Sequence, residues 1–385
     1  VRFLHTADWH LGRLFYGRSL IEDQAHLLEQ FVALVRDTQP DAVLIAGDVY
    51  DRAVPPPEAV ALLDETLSRI VVGEKVPTVL IAGNHDSPDR LGFGARLLAA
   101  GGLTVCGRPG QLVPVQFADT HGPVTVYPLP YAEPAVVRDV LDQPVSGHDQ
   151  AMSALLSSIR SRALAGRSVL MAHAFVAGGE ASDSERPLSV GGSECIDLAH
   201  LLDFDYVALG HLHRPQSMGE GRVHYSGSLM KYSLSEAGHC KSVSLVELGP
   251  PGSRPQIERI VLSPLRDLRI VEGGLAELLE VGEQSGGSND YVFARLADKG
   301  ALLDPMSRLR GVYPNVVGCE RLVLSRAREQ QSAVAAAGVP VRQLDTPTLF
   351  ENFFHEVTGE ALDAQGRAAI AEALEQLALA ARESS

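Results

Sequence analysis

Thr78-Val79-Leu80-Ile81-Ala82-Gly83-Asn84-His85-Asp86 passes from five uncharged, mostly apolar residues through a glycine to an amide, an imidazole and a carboxylate. A continuous apolar run of this length suits a strand buried on both faces, as parallel sheets require. The same arrangement recurs on either side. Ala42-Val43-Leu44-Ile45-Ala46 leads into Gly47-Asp48, and Val1-Arg2-Phe3-Leu4-His5-Thr6 leads into Asp8-Trp9-His10. Further on, Ser168-Val169-Leu170-Met171-Ala172 leads into His173, and Tyr206-Val207-Ala208-Leu209 into Gly210-His211-Leu212-His213. Helical patterns lie between, at Glu22 to Arg36 and Glu58 to Val71. Pro55-Pro56-Pro57 marks the start of the second, because proline is tolerated in a first helical turn. Strands alternating with helices over the first 210 residues or so predict a layered α/β domain.

The 385 residues suggest two or three domains. Around Gly249-Pro250-Pro251-Gly252-Ser253 the chain turns, and after residue 263 the pattern changes. Leu268 to Val271, Tyr291 to Leu296 and Val316 to Leu324 read as strands. Leu275 to Glu283 and Met306 to Tyr313 read as helices, so this part is a small α+β domain. Residues 346 to 382 read as helices, split near Gly359 or Gly366. The domain expectation is therefore 1–262, 263–343 and a helical segment 344–385.

A net charge of −15 counts against an autonomous, tight nucleic-acid binder, which would present a basic face. A DNA substrate would have to be held by metal ions, local Arg and Lys, or a partner. Cys106, Cys195, Cys240 and Cys319 form no C-x-x-C pair, which argues against a zinc knuckle or redox motif. Buried, reduced thiols in a cytoplasmic protein are expected. No basic-then-apolar leader precedes the first strand, so secretion is not expected. No apolar run of about 18 residues exists, so neither is a membrane span.

In an open α/β sheet, ligands bind beyond the carboxyl ends of the strands. All five polar motifs sit at such ends. One histidine after a strand means little; five placements of metal-ligand types at equivalent points make coincidence improbable. Carboxylate, imidazole and amide oxygen together suit Mn²⁺ or a similar divalent ion. Two ions about 3.5–4 Å apart clamp the attacking and leaving oxygens of a phosphoryl displacement and acidify bound water. The glycines before Asp48, Asn84 and His211 allow tight strand-to-loop turns.

The order D-x-H, G-D, G-N-H-D, lone His, G-H-x-H over residues 8 to 213 resembles the calcineurin-like metallophosphoesterases. The resemblance implies a first ion site of Asp8, His10, Asp48 and His213, and a second of Asp48, Asn84, His173 and His211, with Asp48 bridging. It implies that His85 is a catalytic histidine that contacts the phosphate without binding metal. Asp86 either orients His85 or caps the helix that follows. Gly47-Asp48-Val49-Tyr50-Asp51-Arg52 with the three prolines, Gly210 to Gln216, Tyr225 to Leu229, Ser233 to Gly238, Lys241 to Val243 and the loop Ala174 to Gly192 narrow the resemblance to the SbcD nucleases. That loop reads equally as a small-residue surface segment.

The resemblance implies a double-strand exonuclease and endonuclease using two Mn²⁺ ions in DNA repair, with 263–343 as a capping domain. Its implied partners are DNA and an SbcC-like coiled-coil ATPase, in the cytoplasm. The alternatives are another phosphoesterase of the same fold, acting on nucleotides or phosphoproteins, and a scaffold with a vestigial site. Val60, Leu63, Leu67, Ile70 and Val71 on one helix, and Leu91, Phe93, Leu97 and Leu98 on a helix Arg90 to Ala100, form apolar stripes. These pack either into the monomer core or, as the resemblance implies, across a two-fold homodimer. Leu349, Phe350, Phe353, Phe354 and Val357, then Ile370, Leu374, Leu377 and Leu379, form stripes of the tail. The tail docks on its own chain or lies in a groove of the ATPase. Its acidic face disfavours DNA.

Overall fold

The computed structural model describes residues 1–185, 195–284, 288–298, 302–322, 347–348, 350–351, 354 and 361–383. The chain forms two compact units, Val1–Asp267 and Leu268–Ser385. In the first, the apolar runs form strands β1 (Arg2–Thr6), β2 (Ala42–Ala46) and β3 (Thr78–Ile81), followed by β4 (Leu103–Cys106). β5 (Val115–Asp119), β6 (Gly122–Pro128), β7 (Arg167–His173), β8 (Tyr206–Gly210), β9 (Gln216–Met218) and β10 (Val223–Tyr225) come next. β11 (Ser242–Glu247) and β12 (Gln256–Val261) close the unit.

The layers expected of this domain include two six-stranded sheets. Their strand orders are β12-β11-β1-β2-β3-β4 and β9-β10-β8-β7-β6-β5. Each has a parallel centre, β1 to β4 in one and β10-β8-β7-β6 in the other, with antiparallel strands at the margins. The inner faces share one core. Phe3, Leu44, Ala46, Val79 and Ile81 from the first sheet meet Val124, Val126, Val169, Met171 and Ala208 from the second. The outer face of the second sheet packs under the helix His148–Arg160, which buries Ala151, Met152, Leu155 and Leu156. Helices α1 (Ile21–Thr38) and α2 (Pro57–Ser68) are the crossovers β1→β2 and β2→β3. Right-handed crossovers lie on one face of a sheet. With the second sheet on the inner face, these two cover the outer one, and every residue of β2 is buried.

A polar chain crosses the inner core. His5 Nδ1 lies 2.8 Å from the Tyr206 hydroxyl, and His224 bonds Ser217 Oγ at 2.7 Å and Ser244 Oγ at 2.8 Å. Burial pushes His5 well below the usual imidazole range and His224 down to about 3. Both are neutral in the folded chain but protonate when unfolded below about pH 6.5. The unfolded state then binds more protons, so stability is full above that pH and falls as pH drops. In chelator-treated protein, His224→Gln is expected to flatten the decline of unfolding temperature between pH 6.5 and 4.5. An unchanged decline would show that His224 is not one of its sources.

Some expectations are corrected. The helix expected over Arg90 to Ala100 is two short turns, Pro88–Leu91 and Ala95–Ala99, interrupted where Gly94 takes φ 71°. α2 ends at Ser68 and continues as one π-turn, Arg69–Gly73. All four cysteines are thiols, but only Cys106 is buried and Cys240 is exposed.

The second unit carries a parallel sheet of β13 (Leu268–Gly273), β14 (Tyr291–Leu296) and β15 (Val316–Arg321). Helices Leu275–Gln284 and Pro305–Arg310 connect them and contribute Leu275, Leu278 and Leu309 to a core with Val292, Ala294 and Leu296. This is the β-α-β-α-β order read from the sequence. Residues 361–363 are non-helical, between the two glycines named for the split, and helix Ala364–Glu383 follows, its Gly366 N–H donating to Asp363 Oδ1 at 2.7 Å. Gly359, Leu349, Phe353 and Val357 lie outside the described residues, as do 186–192 of the Ala174 to Gly192 loop.

Candidate metal centre

The two sheets share the site between them. The first supplies Asp8 and His10 after β1, Asp48 after β2, and Asn84 and His85 after β3. The second supplies His173 as the last residue of β7, and His211 and His213 after β8. Parallel pairing levels the strand ends: Ala46 lies opposite Ile81, and His173 opposite Gly210. Two bonds then tie the sheets together across the site. His173 Nδ1–H donates to the Ala46 carbonyl at 2.9 Å, and the His211 N–H donates to both Asp8 oxygens at 2.9 and 3.1 Å.

The backbone is strained where the site is built. Asp8 (φ 53°), His10 (φ 45°), Asp48 (φ 48°) and His211 (φ 100°) all have left-handed conformations. Such residues cost about 1–3 kcal/mol each and persist only where their surroundings over-determine them. The glycines follow a different logic from tight turning alone. Gly47 does take φ 92°, but Gly83 is needed for space: a Cβ there would lie 2.1 Å from Asp48 Oδ1.

All seven candidate ligands converge. His10 Nε2 lies 3.0 Å from His213 Nε2 and 3.7 Å from Asp48 Oδ2. On the other side of Asp48, His173 Nε2 is 3.4 Å from the same oxygen and 3.0 Å from Asn84 Oδ1, which is 3.2 Å from His211 Nδ1. Asp48 Oδ2 thus stands between the two groups. Among the described residues, Asp8, His10 and His213 form one potential ion site, Asp8, Asp48 and His173 another, and His10, Asp51 and His85 a third. Asn84 is half-buried and the other six are buried.

The donor set fits divalent cations. A carbonyl only accepts, so His173 Nδ1 must carry the proton it gives Ala46, leaving Nε2 for a ligand. Among the described residues, His10 Nδ1 is buried with no hydrogen-bond partner. Burial pushes the Asp8 carboxyl up to about 7. For Asp48, burial opposes ionisation, but His173, His10 and His85 outweigh it and hold the carboxyl well below its usual range. Burial likewise opposes charge on His173, yet Asp48 and Asp8 raise it to about 9. A proton there does for two buried carboxylates what a cation would do. Burial takes His211 down to about 3, as suits a neutral ligand.

His85 is half-buried beside the ligands. Its N–H donates to Asp48 Oδ1 at 2.9 Å, and its Nδ1–H donates to the Asp51 carbonyl at 2.7 Å. This leaves Nε2 facing the centre, 4.0 Å from Asp48 Oδ2. Asp86 fills neither expected role. Its carboxylate accepts from the N–H groups of Val49, Tyr50 and Gly83 at 3.1, 2.9 and 2.9 Å, which locks the loops after β2 and β3 together. The group that orients His85 is Asp51, and the N-cap of the next helix is Ser87. Burial and the Asp48 charge push the Asp86 carboxyl up to about 6.

Sequence reasoning missed four contributors. Asp51 holds His85 through its carbonyl and Arg13 through its carboxylate at 3.0 Å. Gln24, on α1, reaches back to the Trp9 and His10 carbonyls at 3.1 and 2.8 Å and fixes the loop after β1. Glu236 and Lys241 form a buried ion pair beside His213. Asp51, Glu236 and Lys241 lie in stretches that carry the SbcD resemblance, but nothing local assigns them these contacts, and a Gln in a helix carries no signal at all.

Comparison with known proteins agrees with this geometry. The family model for calcineurin-like phosphoesterases matches residues 1–215, and the model described as the Type 5 capsule protein repressor C-terminal domain matches 264–358. The SbcD subunit of the SbcCD nuclease of Staphylococcus epidermidis is 32% identical over 365 residues, covering 94% of this chain and 95% of that one. The protein of the same name from Staphylococcus saprophyticus is 31% identical over 369 residues, covering 94% of each. With a matching fold, strand-end motifs in the matching order and similarity along nearly the whole chain, the protein belongs to the SbcD family of calcineurin-like phosphoesterases.

Proposed function

We propose that this chain is a metal-dependent nuclease that hydrolyses DNA phosphodiesters, as an exonuclease and endonuclease, within an SbcCD-type assembly that repairs and processes DNA ends. The observation that carries this reading is the buried convergence of Asp8, His10, Asp48, Asn84, His173, His211 and His213 from two sheets, in a relative of nuclease subunits. Asp8, His10, Asp48 and His213 would hold one ion, and Asp48, Asn84, His173 and His211 a second. The mixed carboxylate, amide and imidazole set suits Mn²⁺ or a similar divalent ion. When bound, two such ions neutralise charge on the phosphoryl oxygens and acidify the attacking water.

The chain's own residues do the rest. Asp48 stands where it can serve both ions. His85, oriented by the Asp51 carbonyl, presents Nε2 to the phosphate and supplies a proton to the departing oxygen. The experiment is cleavage of linear duplex DNA against a small phosphodiester, with Mn²⁺, with and without an SbcC-like ATPase. Cleavage of the small ester alone would favour the alternative, a phosphoesterase of nucleotides or phosphoproteins.

Among the described residues, no helix is long and apolar enough to cross a membrane. A cytoplasmic site of action accompanies the nuclease reading. The domain reading proposed is a nuclease domain over 1–262, a capping domain over 263–343 that positions DNA, and a partner-binding segment over 344–385.

Homodimerisation is proposed on one of the two stripes. Leu63 and Ile70 are buried in the monomer, so the α2 stripe serves largely its own core. Phe93 and Leu97, however, are 86% and 83% exposed, with Leu98 exposed as well. Apolar groups so open, clustered in sequence, mark an association surface. Light scattering at micromolar concentration is expected to give a dimer, and Leu97→Asp a monomer. A monomer mass for the unmodified chain would remove this proposal.

For the tail, deletion from Thr346 is expected to leave Mn²⁺-dependent cleavage of small esters intact while abolishing association with the ATPase and ATP-dependent cutting. Unchanged co-purification of the truncated chain with the ATPase would place the docking element elsewhere.

A further inference from the structure

Among the described residues, His213 is gripped by two loops, and every grip but one comes from a side chain. Its Nδ1 lies 2.7 Å from Ser184 Oγ and 3.4 Å from Glu236 Oε1, and its N–H donates to Glu185 Oε1 at 2.7 Å. Its carbonyl accepts from Lys241 Nζ at 2.8 Å and from the Ser228 N–H at 3.2 Å. Glu236, fully buried, joins these grips: it accepts from Ser184 Oγ, from Lys241 Nζ and from Ser233 Oγ, the last at 3.1 Å.

The direction of the bonds follows from donor and acceptor capacity. An ionised carboxylate only accepts, so the single hydroxyl proton of Ser184 goes to Glu236. Ser184 Oγ must then accept from His213 Nδ1–H. This tautomer leaves the lone pair on Nε2, the atom 3.0 Å from His10 Nε2 at the centre. His173 reaches the same result through the Ala46 carbonyl, which no substitution removes. His213 depends on Glu236 and Ser184.

The ion pair is hard to explain by stability alone. Taking Glu236 and Lys241 out of water costs more than their attraction readily returns, and apolar residues of the same volume serve stability as well or better. A hydrogen bond that the far N–H of a ligand histidine donates toward a carboxylate, by contrast, raises its basicity and fixes its ring.

We propose that Glu236, acting through Ser184, sets the tautomer and orientation of His213 and thereby the affinity of the ion site formed by Asp8, His10, Asp48 and His213. The proposal rests on His213 being a ligand. Glu236 and Ser184 are positioning residues, since neither touches the reacting atoms.

The test is Mn²⁺ binding to the full chain, followed by titration calorimetry and by the bound ion count after dialysis. Glu236→Gln and Ser184→Ala are each expected to weaken one of two ion sites by roughly ten- to hundredfold and leave the other unchanged. Ser184→Thr, which keeps the hydroxyl, is expected to restore the affinity. The unfolding temperature of the metal-free chain separates loss of a site from loss of the fold. Should Glu236→Gln not fold, Ser184→Ala carries the test, because it leaves the Glu236–Lys241 pair in place. Wild-type affinity at both sites in the folded variants, with His213→Ala losing one ion, would overturn the proposal and leave the ligand reading standing. Two tightly bound ions in His213→Ala would overturn the ligand reading and the proposal with it.

Discussion

His85→Gln is expected to lower kcat by about 10²- to 10⁴-fold, the range of a positioned acid–base group, while Mn²⁺ content and DNA affinity stay at wild-type levels. The expectation follows from how the side chain is held. The Asp51 carbonyl accepts a hydrogen bond from Nδ1–H, and the backbone N–H of His85 is bonded to Asp48 Oδ1, so Nε2 alone addresses the centre. Glutamine retains that backbone bond and a polar tip but has no titratable proton. Its effect should therefore fall on turnover, with the ligand cluster undisturbed. Ion counts and single-turnover cleavage on the same preparation read the two quantities separately. A loss of activity matched by an equal loss of metal would mean that His85 is a ligand or supports one.

Asp48→Asn is expected to have the larger effect: neither ion is retained after dialysis, and cleavage is lost at least as completely as in His85→Gln. Asp48 Oδ2 lies 3.7 Å from His10 Nε2 and 3.4 Å from His173 Nε2, so one charge serves both halves of the centre. The amide keeps the volume and an oxygen to accept the His85 N–H, so folding should survive. His10→Gln, on the first half, should empty mainly that half. Ion counts distinguish the two: equal losses in both variants would argue against a bridging role confined to Asp48.

The residues that bring chemistry were legible because each interrupts a local pattern. Asp48, Asn84, His173 and His211 break apolar runs at the point where a strand must end, and parallel pairing levels those ends. What was not legible depends on contacts distant in sequence. Nothing local says that β1 to β4 and β6 to β8 belong to separate sheets, since both sets read as buried runs. The partners of Asp86 are backbone N–H groups up to 37 residues away, and no pattern reveals that its carboxylate is already occupied. Glu236 and Lys241 look like surface charges in a loop, and only the folded chain buries them against His213. The broken helix was within reach: Gly92 and Gly94 stand inside the expected span, and two such residues in three positions weaken a helix by roughly 1 kcal/mol each.

Anomalous diffraction from a crystal soaked in Mn²⁺ tests the two-ion centre most directly. The expected map holds two ions, both ligated by Asp48, one also by Asp8, His10 and His213 and the other by Asn84, His173 and His211. Two fully occupied ions with Asp48 unliganded, or a single ion held by another set of residues, would contradict it.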